Sequence, residues 1–228
     1  FNDEEEKLYI ANLAKANKEL QELYDLEGSD KMQILKLLTR LRQLCLEPRL
    51  VYDNIDQPSS KLKACMELIK TMQENKQKVL LFSSFTSVLD LIAEECQKAG
   101  ITYYMLTGST NKEDRRELVS RFQKDDTTVF LISLKAGGTG LNLTSAEAVI
   151  HFDPWWNVSA QNQATDRAYR IGQKNNVQVF NLVMKDSVEE KIIEMQKRKK
   201  ELADMFVENN SGGLSQMSKE DILSLFTM

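Results

Sequence analysis

The chain has 228 residues, of which 42% are hydrophobic and 28% are charged, and its formal net charge at pH 7 is −4. This composition is typical of one globular domain with helical additions, and the negative balance argues against a uniformly basic coat for nucleic acid while leaving room for a local basic groove. No apolar run approaches the length of a membrane span, and the opening residues FNDEEEKLYI lack the basic and apolar regions of a signal peptide.

The cysteines indicate the redox environment. Cys45, Cys65 and Cys96 are odd in number, widely spaced and surrounded by apolar neighbours. They are therefore predicted to be reduced core residues of an intracellular protein. Because the chain begins without Met, we expect it to be part of a longer protein.

The first third of the chain is predicted to be helical. Apolar residues recur at helical spacing from Asp3 to Leu26 and again from Ile34 to Cys45. Pro48 ends the second helix, and the polar segment NIDQPSS at 54–60 is the best candidate for a linker. These helices are expected to lead into the main body of the fold.

The central part of the chain alternates between helical segments and short apolar runs. The five runs predicted as strands are VLLFSSF from Val79, ITYYML from Ile101, TVFLIS from Thr128, AVIHF from Ala148 and VQVFNLV from Val177. Thr110 and Glu113 have the spacing of a capping box before one of the intervening helices. Near-continuous apolar strands separated by helices of about a dozen residues predict an α/β fold with a mostly parallel sheet covered on both faces.

The chain is predicted to end in helices. Ser187 and Glu190 form a second capping-box pattern, at the start of a long helix with a basic face. A short terminal helix is expected to run through Phe226. The predicted domains are thus a helical lead-in at 1–58, an α/β lobe at 59–185, and a helix with a tail at 186–228.

Polar segments follow the first three predicted strands, at the edge where such sheets bind ligands. They are SSFTS at 83–87, LTGSTN at 106–111 and SLKAGGTGLNL at 133–143. Any one of these loops alone would more often serve only to cap a helix or form a turn. Three in register, with Lys135 beside the glycines, predict a surface that grips successive phosphates of a nucleic-acid strand.

A glutamine and two arginines fall on one helical face, within and directly after the helix predicted from Asn157 to Tyr169. At about 100° per residue, Gln163, Arg167 and Arg170 fall within a narrow sector. Guanidinium groups are always charged and match phosphate oxygens. Surface ion pairs are the commoner fate of arginines at this spacing, but the preceding glycine-rich loop favours contact with a polyphosphate.

Two nucleotide-binding fingerprints are absent from the sequence. GGTG does not match G-x-G-x-x-G, and nowhere does G-x-x-x-x-G-K-[ST] occur. The chain also lacks an acidic pair at a strand end to hold Mg²⁺. It is therefore predicted to complete a nucleotide site without forming one alone.

The order VLLFSSF, LTGST, SLKAGGTGLNLT, VIHFDPWWN and QATDRAYRIGQ resembles the second RecA-like lobe of the Swi/Snf-type ATPases. These are DNA translocases of the second helicase superfamily, and the resemblance covers about Lys61 to Val207. It implies a RecA-like three-layer fold, with flanking helices of which the one from Ser187 resembles the family's bracing helix. One departure is Tyr169, where the family usually has His.

The resemblance also implies roles for individual residues. Arg167 and Arg170 would be arginine fingers inserted against ATP held, with Mg²⁺, mainly by the first lobe, and Gln163 and Gly140 would border that nucleotide. The residues that would line the path of the tracked DNA strand are Ser84, Thr107, Gly108, Lys135, Ala136 and Gly137.

The DPWWN segment has a third implied role. Trp155 and Trp156 would couple the DNA side to the ATP side, although packing of a core is an equally good interpretation of two tryptophans at a strand end. His151, the one histidine of the chain, lies at a strand end without metal-ligand neighbours and is interpreted as structural.

The resemblance implies a motor whose partners are its own N-terminal RecA-like lobe and duplex DNA without sequence preference, working as a monomer and away from membranes. An RNA helicase lobe would share the arginine helix but normally lacks DPWWN and the IGQ ending. A non-catalytic interaction module would bind through the terminal helices, and a Rossmann-type enzyme lacks its fingerprint. The absence of lysine-rich targeting clusters favours a bacterial cytoplasm, near the nucleoid, over a eukaryotic nucleus.

Overall fold

The structure is a computed structural model that describes residues 1–25, 31–137, 141–166, 168, 176–205 and 219–227. Its helices are α1 (Asp3–Asp25), α2 (Lys31–Leu46), α3 (Ser60–Glu74), α4 (Thr86–Lys98), α5 (Lys112–Lys124), α6 (Leu134–Gly137), α7 (Val158–Thr165), α8 (Val188–Met205) and α9 (Lys219–Leu225). Its strands are β1 (Val79–Ser83), β2 (Tyr103–Leu106), β3 (Val129–Ser133), β4 (Ala148–His151) and β5 (Gln178–Asn181). No helix among these described residues is long and apolar enough to cross a membrane.

The chain divides into two compact units. The helical unit comprises Phe1–Leu62 and Val183–Met228, and the sheet unit comprises Lys63–Leu182. The domain boundaries expected from the sequence, at 1–58, 59–185 and 186–228, stay predictions.

The five strands form one fully parallel sheet in the order β2-β3-β1-β4-β5. All residues of β1, β3 and β4 are buried. Of the edge strands, most residues of β2 are partly buried and most residues of β5 are exposed. Helices cross between successive strands, as parallel pairing requires. The parallel α/β sheet predicted from the apolar runs is confirmed, with three central strands buried on both faces.

Aromatic side chains fill one layer of the sheet unit. Phe130 of β3 lies 5.1 Å from Phe122 of α5, centroid to centroid, and 6.1 Å from Tyr104 of β2. Phe122 and Phe130 are both fully buried in the same core cluster as Phe82 of β1. This packing holds α5 against β3.

The start of α5 differs from the sequence expectation. Asn111, not Thr110, is the N-cap, and its side-chain oxygen accepts from the backbone N–H groups of Glu113 and Asp114. Thr110 instead accepts a bond from the N–H of Thr107. Asparagine is at least as good a cap as threonine, so the adjacent residue takes that position and frees Thr110 to close the preceding turn.

In the helical unit, α8 begins at a network of hydrogen-bonded polar groups. Ser187 accepts from the N–H of Glu189 at 3.1 Å, and Glu190 reaches back to the N–H of Asp186 at 2.7 Å. The N–H of Val188 donates to the Tyr9 hydroxyl of α1. Each capping bond is one residue away from the ideal capping-box position, because the donors are the N–H groups of Glu189 and Asp186 instead of those of Glu190 and Ser187.

Candidate functional site

Strand order brings the three polar loops to the same edge of the sheet. Because β2, β3 and β1 are adjacent and parallel, the segments that follow them lie side by side at their carboxyl ends. The predicted DNA-facing residues at this edge are Ser84 after β1, Thr107 and Gly108 after β2, and Lys135, Ala136 and Gly137 in α6. β4 follows β1 in the sheet, so the DPWWN segment joins the same edge.

The loop after β1 is held by a buried carboxylate. Asp153 is only 1% exposed, and its Oδ1 accepts from Ser83 Oγ at 2.7 Å and from the Ser84 N–H at 3.0 Å. Its Oδ2 accepts from the Ser84 hydroxyl. Both donors of Ser84 are thus directed at Asp153, so the loop is fixed by the strand next to it.

The loop after β2 is closed by its own hydroxyl groups. Thr107 Oγ1 lies 2.8 Å from Ser109 Oγ, and the Thr107 N–H donates to Thr110 Oγ1 at 3.1 Å. A Cβ built on Gly108 would meet no atom within 4 Å, and this glycine is not among those with positive φ. The fold therefore does not itself require glycine here, which leaves close approach of a ligand as a reason for it.

The loop after β3 begins with a short helix that the sequence did not predict. Lys135 in α6 is exposed, whereas Ala136 is buried in the core and its carbonyl oxygen accepts from Arg115 Nη1 of α5 at 3.2 Å. Arg115 thus ties the loop after β3 to the helix that follows the loop after β2. Gly137 ends α6.

Helix α7 presents Gln163 to solvent. Ala164 is buried in the core cluster of the sheet unit, so α7 packs through that face while its neighbour Gln163 is exposed. The predicted fingers Arg167 and Arg170, together with Gly140 and Tyr169, lie outside the described residues. Their roles stay predictions.

His151 and Thr165 join β4 to α7. His151 Nε2 lies 2.8 Å from Thr165 Oγ1, and the imidazole stacks on Phe82 at 5.6 Å between centroids. Burial lowers the pKa of His151 to about 4, a shift that the nearby Asp153 carboxylate only partly opposes. The imidazole is therefore neutral at pH 7.

The two tryptophans lie in the segment of the chain between β4 and α7. The Trp155 side chain is partly buried and packs against the core cluster, and the backbone N–H of Trp155 donates to Gln161 Oε1 of α7 at 3.3 Å. Trp156 is also partly buried. Trp155 therefore has the packing role considered from the sequence, and coupling by either residue stays a prediction.

Comparison with known proteins relates this chain to ATP-dependent helicases. Residues 60–172 match the helicase conserved C-terminal domain. An uncharacterized ATP-dependent helicase of Mycoplasma pneumoniae is 36% identical over 227 residues, covering 99% of this chain and 22% of that protein. The putative ATP-dependent helicase/translocase YwqA of Bacillus subtilis is 37% identical over 205 residues, covering 87% and 22%.

A solved structure gives the same relationship in three dimensions. The SWI2/SNF2 ATPase core of Sulfolobus solfataricus in complex with dsDNA superposes with a TM-score of 0.78 at 29% identity, covering 99% of this chain and 48% of that one. The chain belongs to the Swi/Snf-type ATPase family. It corresponds to the second, RecA-like lobe, and it spans about a fifth of the length of the curated relatives it matches.

The sequence pattern did not single out three residues that organise this Swi/Snf lobe. Asp153, Thr165 and Arg115 each bond to an element that is remote in sequence or on another strand. An aspartate directly after a strand run was the available signal for Asp153. Nothing in the sequence alone indicated that its partners would be Ser83 and Ser84, because they lie about 70 residues earlier.

Proposed function

We propose that this chain is the second motor lobe of an ATP-dependent double-stranded DNA translocase, supplying DNA-strand contacts and arginine fingers. The observation that carries the proposal is the adjacency of three loops rich in hydroxyls and glycine at one edge of a parallel sheet. The Swi/Snf family membership supports it, as does the dsDNA in the Sulfolobus structure.

On the DNA side, the loops would hold phosphates through backbone amides, hydroxyls and the exposed Lys135. Such contacts fix a protein on the duplex without reading its sequence. We therefore propose binding to duplex DNA that has little sequence preference and weakens with salt. Reforming these contacts further along one strand would produce translocation.

On the nucleotide side, the lobe would complete a site formed mainly by the first lobe of the same protein. ATP with Mg²⁺ supplies the phosphoryl group whose transfer to water drives the cycle. Gln163 is exposed on α7 and would face that nucleotide, with Gly140 beside it. Arg167 and Arg170 would stabilise charge that develops on the phosphoryl oxygens, and loss of such a finger typically costs about 10³-fold or more in turnover.

The test uses the full-length protein that contains this chain. ATP turnover is measured with and without duplex DNA for wild type, Arg170→Ala and Arg121→Ala, with the isolated chain alongside. Arg121 is a matched control, because it is exposed and lies at the end of α5, at the edge of the sheet opposite the polar loops. We expect Arg170→Ala to lose at least about 10³-fold in DNA-stimulated turnover while keeping DNA affinity, and we expect the isolated chain to be inactive.

Normal turnover by Arg170→Ala would contradict the motor proposal and leave the arginines with a structural role. Stimulation by RNA but not by DNA would identify an RNA helicase lobe instead. We further propose that the protein works as a monomer in a bacterial cytoplasm, with the nucleus as the alternative for a eukaryotic source; light scattering of the full-length protein tests the monomeric state.

A further inference from the structure

The carboxyl end of β4 contacts two elements: the loop after β1, which is predicted to contact DNA, and α7, which is predicted to contact the nucleotide. His151 and Asp153 lie two residues apart, and β4 is hydrogen-bonded to β1 through the register Phe82 to His151. The backbone pairing continues one residue further, since the Phe152 N–H donates to the Phe82 carbonyl at 2.9 Å. The two side chains on either side of Phe152 therefore project from a strand end that is paired with β1.

One of these side chains holds the loop after β1. Asp153 accepts from Ser83 and Ser84 through three donors, and Ser83 is fully buried. Releasing the two donors of Ser84 would leave a buried carboxyl group under-bonded, so the loop stays bound to Asp153. Ser84 is thus fixed relative to β4, and it positions the rest of the loop after β1.

The other side chain, that of His151, holds α7, the helix that carries Gln163. Thr165 Oγ1 donates to the Gln161 carbonyl of α7 at 3.3 Å, so its lone pair accepts from His151 Nε2–H at 2.8 Å. His151 Nδ1 then carries the lone pair, and it has no hydrogen-bond partner among the residues that the structure describes. Thr165 lies two positions after Gln163, on the last residue of α7.

We propose that the end of β4 is the joint between DNA contact and nucleotide contact, with Asp153 positioning the loop after β1 and His151 positioning α7 through Thr165. This proposal rests on the proposed motor function. In this joint, Asp153, His151 and Thr165 are positioning residues, and none of them touches DNA or ATP. A displacement of the loop by DNA moves the strand end, and the strand end moves the helix that carries Gln163.

The test compares the stimulation ratio, which is turnover with saturating duplex DNA divided by turnover without DNA, in the full-length protein. Thr165→Val keeps the shape but removes the hydroxyl, and Thr165→Ser keeps the hydroxyl as a matched control. Asp153→Asn removes the charge and one acceptor of the loop. We expect Thr165→Val and Asp153→Asn each to lower the ratio by about fivefold or more, with DNA-free turnover and the KM for ATP unchanged, and Thr165→Ser to restore it.

The double variant separates a joint from two independent structural effects. If both bonds serve one connection, Asp153→Asn combined with Thr165→Val lowers the ratio no further than the larger single loss; independent effects would multiply. Three results would overturn the joint. In the first, the losses of the two single variants multiply in the double variant. In the second, both single variants keep the wild-type stimulation ratio, and in the third, Thr165→Ser loses as much of the ratio as Thr165→Val. Should Asp153→Asn lower the melting temperature, Ser83→Ala replaces it, because that buried hydroxyl bonds Asp153 and cannot reach DNA.

Failure of the joint and failure of the motor give different results. Absence of DNA stimulation in the wild type, or normal turnover in Arg170→Ala, contradicts the proposed function itself. A stimulated wild type with an inactive Arg170→Ala and unaffected Asp153→Asn and Thr165→Val contradicts only the joint.

Discussion

Lys61 donates from Nζ to both carboxylate oxygens of Glu189 at 2.7 Å, and both side chains are buried. The pair connects the first turn of α3 to the first turn of α8, across 128 positions of sequence. Glu189 Oε2 also accepts from the Met184 N–H at 2.8 Å. Within the helical unit, a single carboxylate thus holds the chain that enters the sheet unit beside the chain that leaves it.

Removing one partner of this pair should destabilise the chain strongly. Lys61→Met leaves the Glu189 carboxylate buried without its cation, and we expect a loss of about 3–5 kcal/mol in the free energy of unfolding. The double variant Lys61→Met with Glu189→Gln should recover much of that loss, because neither charge then remains. Urea unfolding of the wild type, Lys61→Met and the double variant measures this; equal losses in the single and double variants would contradict it.

The stability of the chain should depend on pH through His151. Its pKa in the folded state is about 4, below the ordinary value of 6.5. The unfolded chain therefore binds more protons between these values, so the free energy of unfolding falls as the pH falls from about 6.5 to 4, by up to about 3 kcal/mol. Denaturant unfolding at several pH values should show that His151→Gln loses this part of the dependence, and an unchanged slope in that variant would contradict the assignment.

Gly108 and Gly100 should respond to alanine in opposite ways. A Cβ at Gly108 has open space, so Gly108→Ala should change the free energy of unfolding by less than about 0.5 kcal/mol while weakening DNA binding, if a phosphate approaches that backbone. Gly100 has φ +68°, so Gly100→Ala should cost about 1 kcal/mol or more and leave DNA binding unchanged. Melting curves and duplex binding by fluorescence anisotropy test the pair; unchanged binding by Gly108→Ala would remove Gly108 from the DNA interface.

Lys135 should contribute one phosphate contact. Lys135→Ala is expected to weaken binding equally across duplex sequences and to reduce the slope of log affinity against log salt by about 1. Lys124 is the matched control, because it is exposed at the end of α5 and at the opposite sheet edge. Anisotropy titrations at several salt concentrations measure both slopes, and the prediction is wrong if the two variants show the same slope as the wild type.

The strands of this lobe could be predicted because each is a continuous apolar run that must be buried on both faces. Val79–Ser83 and Val129–Ser133 begin within a residue of the predicted runs. Helix ends were less certain, since adjacent polar residues compete to cap them: Asn111 took the position expected for Thr110. The short helix α6 was missed because LKAG carries no helical period of its own.

Local sequence determined the elements of this protein and the chemical character of its loops, because apolar periodicity and turn residues act over a few positions. It also carried the family resemblance, in the DPWWN and QATDRAYRIGQ segments. Tertiary structure alone decided which side chains meet. The order β2-β3-β1-β4-β5 places Ser84 beside Asp153, and the helical unit brings Lys61 and Glu189 together from distant parts of the chain. A buried carboxylate needs hydrogen-bond donors. The sequence does not reveal which residues donate when they lie about 70 or more positions away, because only the fold brings them together.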